Sequence, residues 1–302
     1  MTDSVRPKAD HRESLGSPGA NRVHAGDRFC LGKGIAGIER LEAYLHGEAF
    51  SRHRHDTYAI GITLSGVQSF RYRGAQRFCL PNQYHVLHPD EEHDGMSGTD
   101  VGFGYRIAYI APFLIQEALG GKPLPFVPDP ILDLTLQQKR RLARLWDLDD
   151  PVDELDRVDI VGALAGVLTE VTGSANDAQK PLPLDRLARV RDLIASDPAG
   201  RRTLAELEGV ADLDRWSLAR AFRAAFGTSP TRFRTMRQLD LARACIMRGQ
   251  PLSDAALEAG FADQAHMTRK FSAAYGLTPA RWAAASRRLH KRSIPVGPAV
   301  PS

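Results

Sequence analysis

Arg220-Ala-Phe222-Arg-Ala-Ala-Phe226-Gly227-Thr-Ser-Pro230-Thr-Arg232-Phe233 and Arg269-Lys-Phe271-Ser-Ala-Ala-Tyr275-Gly276-Leu-Thr-Pro279-Ala-Arg281-Trp282 are one pattern written twice. Arg, Phe, Ala-Ala, Gly, Pro and Arg recur at one fixed offset, and the remaining changes include Phe/Tyr, Ser/Thr and Phe/Trp. Self-similarity at a fixed offset marks a duplicated supersecondary unit. Each copy reads as a helix that Gly ends, with Pro three residues on to start the next. A shorter helix precedes each copy, so the repeated unit reads as helix–turn–helix.

Outward from the repeat, Asp185 to Ala195 forms an opening helix with Leu187, Val190, Leu193 and Ile194 inward. Thr203 caps a helix carrying Leu204, Leu207 and Val210, and Asp214 caps Arg215–Phe226. There Leu218, Phe222 and Ala225 take the buried stripe, leaving Arg215, Trp216, Ala219, Arg220 and Arg223 for the other faces, with Trp216 expected half in the core. Thr231 to Arg248 is a long connector. Ser253 is expected to cap a short helix holding Ala256 and Leu257. Asp263 caps the second outward helix, with Met267 and Phe271 inside and Gln264, Ala265, His266, Thr268 and Arg269 presented. A connector of about 18 residues spans roughly 27 Å, close to the ~34 Å between successive major-groove openings on one face of B-DNA.

Charge points the same way. The chain carries +4 overall, yet from Arg201 onward 17 Lys/Arg face 8 Asp/Glu, so the first 200 residues are net acidic. A basic domain joined to an acidic one suggests that only the former meets a polyanion. Two helix–turn–helix units in the cationic part therefore imply a partner of double-stranded DNA. No run approaches the ~20 apolar residues of a membrane span, and the polar N-terminus shows no secretory h-region. Cys30, Cys79 and Cys245 are scattered and odd in number, which fits neither a disulfide framework nor a zinc clamp. A cytoplasmic protein is expected.

The first half is patterned differently. Tyr58–Leu64, Gln68–Arg73, Arg77–Leu80, Tyr84–Leu87 and Val101–Ile110 are strand-like, punctuated by Gly66, Gly74, Pro81-Asn82 and Pro89-Asp90. That spacing predicts a small antiparallel barrel or sandwich. His53 and His55 share one face of a strand. Past Pro112 the pattern turns helical: one helix over Asp133–Trp146 and a second over Asp153–Val171, the latter with a stripe of Leu155, Val158, Val161, Leu164, Val167, Leu168 and Val171. The second helix is expected to serve as a dimer seam, packing against its copy in a second chain. The whole is an α+β multidomain chain: a tail (1–28), a barrel with helices (29–172), a linker (173–184), an all-α double helix–turn–helix domain (185–288) and a second tail (289–302).

Two resemblances follow. Gly47-x5-His53-x-His55-x3-Ala59-x6-Gly66 resembles the first cupin motif, and Gln83-x5-Pro89-x-Glu91-x-His93 the second. Metal-binding cupins place a carboxylate where Ala59 stands and glycines where Gln83 and Glu91 stand. Three imidazoles can hold a divalent metal, but the missing carboxylate weighs against an enzyme. No metal, cofactor or catalytic residue is assigned from sequence, and a metal-dependent cupin enzyme with a DNA-binding tail is the alternative. His53, His55, Tyr58 and His93 are the candidate effector-binding residues. Ala256-Leu-Glu-Ala-Gly260-Phe261-Ala-Asp263-Gln264-Ala-His-Met-Thr-Arg269-Lys-Phe271-x3-Tyr275-Gly276-x-Thr278-Pro279 resembles the signature of the AraC/XylS family of bacterial transcription regulators. The resemblance implies DNA contacts from Trp216, Ser217 and Arg220 in one unit and Gln264, Ala265, His266 and Arg269 in the other. It further implies promoter DNA, a small-molecule effector and RNA polymerase as partners of a homodimer. Glu208 and Asp212 depart from the family, which has small residues there.

Overall fold

The structure, a computed structural model, describes residues 27–173, 182–200 and 202–284. The expected tails and most of the expected linker lie outside the described residues. The described residues include ten strands, nine of them before the first helix: β1 (Arg28–Leu31), β2 (Ile38–Leu45), β3 (Glu48–His53), β4 (Tyr58–Gly66), β5 (Gln68–Tyr72), β6 (Ala75–Cys79), β7 (Tyr84–Leu87), β8 (His93–Ser97), β9 (Phe103–Ile110) and β10 (Ile131–Leu132). They form two antiparallel sheets, ordered β1-β2-β9-β4-β7-β10 and β3-β8-β5-β6.

Strand periodicity sorts the side chains into two cores. Ala59, Phe70, Tyr72, Leu87, Phe103, Tyr105 and Ile107 fill the space between the sheets. Tyr58, Ile60, Tyr84, Val86, Ala108 and Ile110 point the other way, under α1 (Pro112–Ala118), the 3-10 turn Ala143–Trp146 and α3 (Glu154–Val171). Arg40, 1 % exposed, binds this helical cover to the sheet. Its guanidinium donates to the carbonyls of Lys33, Arg144, Asp147 and Asp150, satisfying turn carbonyls that packing alone would strand.

Two expected helices come out altered. The 133–146 segment begins in β10's edge and breaks into α2 (Leu136–Arg141), capped by Thr135 and Gln138, and the 3-10 turn. In α3 the expected stripe does not hold together. Side chains three residues apart advance 300° and so drift 60° backward per step; Leu155 and Val158 emerge into solvent while Val161, Leu164, Val167 and Leu168 are buried.

The helical half comprises α4 (Leu184–Ser196), α5 (Leu204–Ala211), α6 (Arg215–Phe226), α7 (Pro230–Met247), α8 (Leu252–Glu258) and α9 (Gln264–Tyr275). Leu187, Val190, Leu218, Phe222 and Phe226 form one core; Met236, Leu239, Met267 and Phe271 form a second. The duplication thus yields two cores with α7 running through both. Ser253 does not cap α8: Pro251 precedes the helix, Ser253 sits in its first turn, and Leu257 is exposed. Alanines at 255, 256 and 259 take the buried positions instead.

Two buried histidines outside the expected site bear on stability. The His85 ring lies so close to the β4 backbone that a Cβ on Gly61 would fall 2.1 Å from it. His88 accepts the Val127 N–H at 2.9 Å, which requires a lone pair on Nε2. Burial holds both near pKa 4. A histidine depressed in the folded state contributes stability above its unfolded pKa of about 6.5 and loses it as pH falls toward 4. We therefore expect urea midpoints to drop between pH 7 and pH 5, by on the order of 1 kcal/mol per pH unit for each ring. A flat wild-type profile, or a slope undiminished in the His85→Phe variant, would contradict this.

Candidate DNA-binding surface and sensor site

Both outward helices begin on an aspartate. Asp214 accepts the backbone N–H groups of Trp216 and Ser217 at 2.9 and 3.1 Å, and Asp263 accepts that of His266 at 2.6 Å. Each cap satisfies helix-end donors and fixes the N-terminal turn that carries the candidate contacts. Arg215, Trp216, Arg220, Gln264, Ala265 and Arg269 are exposed, and Ser217 and His266 partly so. Trp216 is 70 % exposed rather than half in the core, leaving its whole indole face to solvent. Arg220 donates to Ser217 Oγ at 3.1 Å, which lays its guanidinium along the helix.

The unusual residues of the first unit are accommodated. Asp212 ends α5 in the left-handed region, at φ 49°, a conformation Asp tolerates better than most side chains, and it pairs with Arg186 at 2.9 Å. Glu208 faces Arg215 at 3.6 Å.

In the barrel, β3 and its exit carry His53 and His55, and β8 starts at His93, opposite His53 in register. The three rings meet with centroids 4.2 to 6.1 Å apart and are all buried. Burial depresses them, to about 4 at His53 and about 3 at His55, with His93 lowered further by both neighbours; all are neutral at pH 7. Tyr58 is not with them. It points to the opposite face of β4, donates to Pro125 O at 2.8 Å, and packs under the helices. Within β4 Ala59 faces the space between the sheets, so strand alternation turns its neighbour Tyr58 to the other side. Tyr109 stands in its place, 5.4 Å from the His55 ring. Beside His93 a cavity of about 150 Å³ opens, lined by Arg52, Arg71, Tyr72, Arg73, Gly74 and Glu92.

The helical half lies against this end of the barrel. The Arg54 N–H donates to Ala273 O at 3.0 Å and Ser51 Oγ to Gly276 O at 3.1 Å. From α7, Arg232 meets Asp90 at 2.6 Å, Arg237 meets Asp56 at 2.9 Å and Arg243 meets Glu39 at 3.2 Å. Burial pushes the Asp56 carboxyl up to about 6 against the pull of Arg237. Gly276 ends α9 at φ 66°, and a Cβ there would sit 2.9 Å from both His53 Nδ1 and Ser51 O. None of these ion pairs was expected from sequence. The one available sign was Arg232, which recurs as Arg281 within the repeat.

Comparison with known proteins follows this division. Residues 35–159 match a family described as AraC-like ligand binding domain, and residues 209–285 a helix-turn-helix domain. An uncharacterized HTH-type transcriptional regulator, YbfI of Bacillus subtilis strain 168, is 24 % identical over 250 residues, covering 76 % of this chain and 88 % of that one. Among solved structures, ToxT from Vibrio cholerae superposes with a TM-score of 0.59 at 12 % identity, covering 82 % of this chain and 98 % of that one. An unsaturated-fatty-acid-bound ToxT gives 0.58 at 14 %, covering 87 % and 97 %. These similarities carry the fold across both halves. Among the described residues no helix is long and apolar enough to cross a membrane.

Asp56→Ala leaves the buried Arg237 with Asp240 alone and should weaken the seating of the helical half by about 1–3 kcal/mol. Hydrogen exchange reads this directly: the Arg54 amide should exchange at least about tenfold faster, while Ile60 and Val86 in the sheet keep their protection. Unchanged protection at Arg54 would contradict the role given to the pair.

Proposed function

We propose that this chain, which belongs to the AraC family of DNA-binding transcriptional regulators with a ligand-binding domain, reads an asymmetric promoter site with α6 and α9 and answers to a small effector held by its barrel. The observation that carries the reading is the pair of Asp-capped helices, each with an exposed basic N-terminal half, joined by the single 18-residue helix α7. At 1.5 Å per residue α7 is about 27 Å long, which suits neighbouring major-groove openings. Arg215, Trp216, Ser217 and Arg220 contact one groove segment; Gln264, Ala265, His266 and Arg269 contact the next. Arginine matches the paired acceptors of guanine, and glutamine those of adenine. Helix N-termini and the remaining cations engage phosphate.

His53, His55 and His93 with the adjoining cavity form the effector site, without Tyr58. A cavity of about 150 Å³ lined by Arg52, Arg71 and Arg73 together with Glu92 suits a small polar molecule rather than the fatty acid of the ToxT complex. The effector acts by favouring one seating of the helical half over another, since a ligand shifts an equilibrium only by its differential affinity for the two states. The reading extends to a cytoplasmic homodimer, with the exposed Leu155 and Val158 of α3 at its seam, and to contact with RNA polymerase at the promoter.

The test is selection of a binding site from random duplexes, followed by gel-shift titration at several salt concentrations. A specific site should bind at roughly 10⁻⁸ to 10⁻¹¹ M with a steep salt slope. Arg269→Ala and Arg220→Ala should each cost about 1–3 kcal/mol and relax the preference at one base pair. Equal affinity for selected and unselected duplexes, or no loss in either variant, would refute the reading.

A further inference from the structure

The three histidines of the barrel share a proton arrangement that leaves them facing one another as acceptors. His53 Nδ1 lies 2.8 Å from Ser51 O, His55 Nδ1 2.9 Å from Thr57 O, and His93 Nδ1 3.0 Å from Glu91 O. A carbonyl oxygen only accepts, so each Nδ1 carries the proton and each ring keeps its lone pair on Nε2. Thr57 Oγ1, 3.2 Å from the His55 nitrogen, lies on the same edge of that ring. One ligand nitrogen from each residue falls within 4.8 Å of the other two. His55 Nε2 is buried without a hydrogen-bond partner, which costs about 1–3 kcal/mol if nothing occupies the space between the rings. A proton there would place a positive charge among buried groups beside Arg232.

We propose that His53, His55 and His93 hold one divalent transition-metal ion, zinc foremost, and that this ion is part of what the barrel senses. The inference rests on the reading of the barrel as the sensing half. Imidazole nitrogens suit zinc and its first-row neighbours, whereas magnesium and calcium take oxygen. Three protein ligands and one exchangeable position is the arrangement of open zinc sites. Each ring already has the outer-shell partner that metal-bound histidines use to fix tautomer and orientation, here a backbone carbonyl.

The carboxylate that metal-binding cupins add is Ala59 in this chain. Its absence leaves the three neutral ligands with the full double charge of the ion and an uncommitted position. The cavity lined by Arg52, Arg71 and Arg73 has His93 in its wall. Placement ties the site to the DNA-binding half. Ser51 accepts from His53 through its carbonyl and donates to Gly276, the residue that ends α9, through its hydroxyl. A shift of His53 toward a shared ligand is therefore felt at the second recognition helix.

The test uses the untagged full-length chain, stripped with chelator and titrated with cobalt(II) and then zinc(II). Wild type should bind one equivalent of cobalt with visible ligand-field bands, zinc should displace it, and the ¹⁵N resonances of three histidine Nε2 atoms should move on zinc binding. His55→Gln and His93→Gln should each lose at least about 100-fold in affinity, while His46→Gln, in the turn between β2 and β3, keeps wild-type metal affinity. Binding below a tenth of an equivalent by folded wild type, or metal affinity unchanged in the His55→Gln/His93→Gln double variant, would overturn the proposal. If the Gln variants fail to fold, the wild-type histidine resonances decide it: three shifted Nε2 signals support the site, and none refutes it. Gel shifts on the same samples separate this from the regulatory reading. Specific DNA binding without metal uptake removes the metal site alone, and metal uptake without DNA binding removes the regulator alone.

Discussion

Arg237 on α7 meets the buried Asp56 at the barrel rim, one of three ion pairs by which this single helix is tied to the barrel. α7 also runs through the cores of both helix–turn–helix units and so sets the distance between α6 and α9. Arg232, Arg237 and Arg243 use three turns of that one helix to reach Asp90, Asp56 and Glu39. A buried pair of this kind is weak as a source of net stability, because desolvation offsets much of the attraction, but breaking it on one side is expensive. That asymmetry suits a joint with one preferred seating: little is gained by docking, and much is lost by docking out of register.

The same joint brings the histidine cluster within a few ångströms of the end of α9. Ser51 touches His53 on one side and Gly276 on the other, and Arg232 reaches the Arg54 carbonyl beside His55. An occupant of the histidine cluster and a duplex on α9 would therefore act on one contiguous set of contacts rather than through a long relay. Reciprocity follows, since whatever the effector does to DNA affinity, DNA must do to effector affinity by the same factor.

Much of the helical half was legible in the sequence because its determinants are local. Asp214, Asp263, Gly227, Gly276 and Pro230 act within one turn of where they stand, and the duplication let each copy check the other. The barrel strands were legible where alternation was clean, from Tyr58 through Ile110; β1, β3 and β8 were less so because their runs are short and polar, and β2 because Glu39, Arg40 and Glu42 interrupt its apolar residues. Tyr58 was misplaced because it opens β4 on the face opposite Ala59, across a loop from His55, and the α3 stripe because a three-residue spacing winds around a helix. The interdomain ion pairs were not legible at all. Arg237 and Asp56 are 181 positions apart, and nothing in the surroundings of either names the other. The proton order of the histidines was hidden for a similar reason, since it is set by the carbonyls of Ser51, Thr57 and Glu91, which any residue type would supply.

The claim on which the account stands is geometric: one chain sets two equivalent helices, spaced by α7, into consecutive major grooves. Hydroxyl-radical footprinting of the full-length protein on its selected site measures that spacing at nucleotide resolution. The account predicts, for each bound chain, two protected windows on one face of the duplex with centres about 10–10.5 bp apart, the second lost selectively in Gln264→Ala/Arg269→Ala. A single window per chain, or two windows that vanish together in that variant, would contradict it.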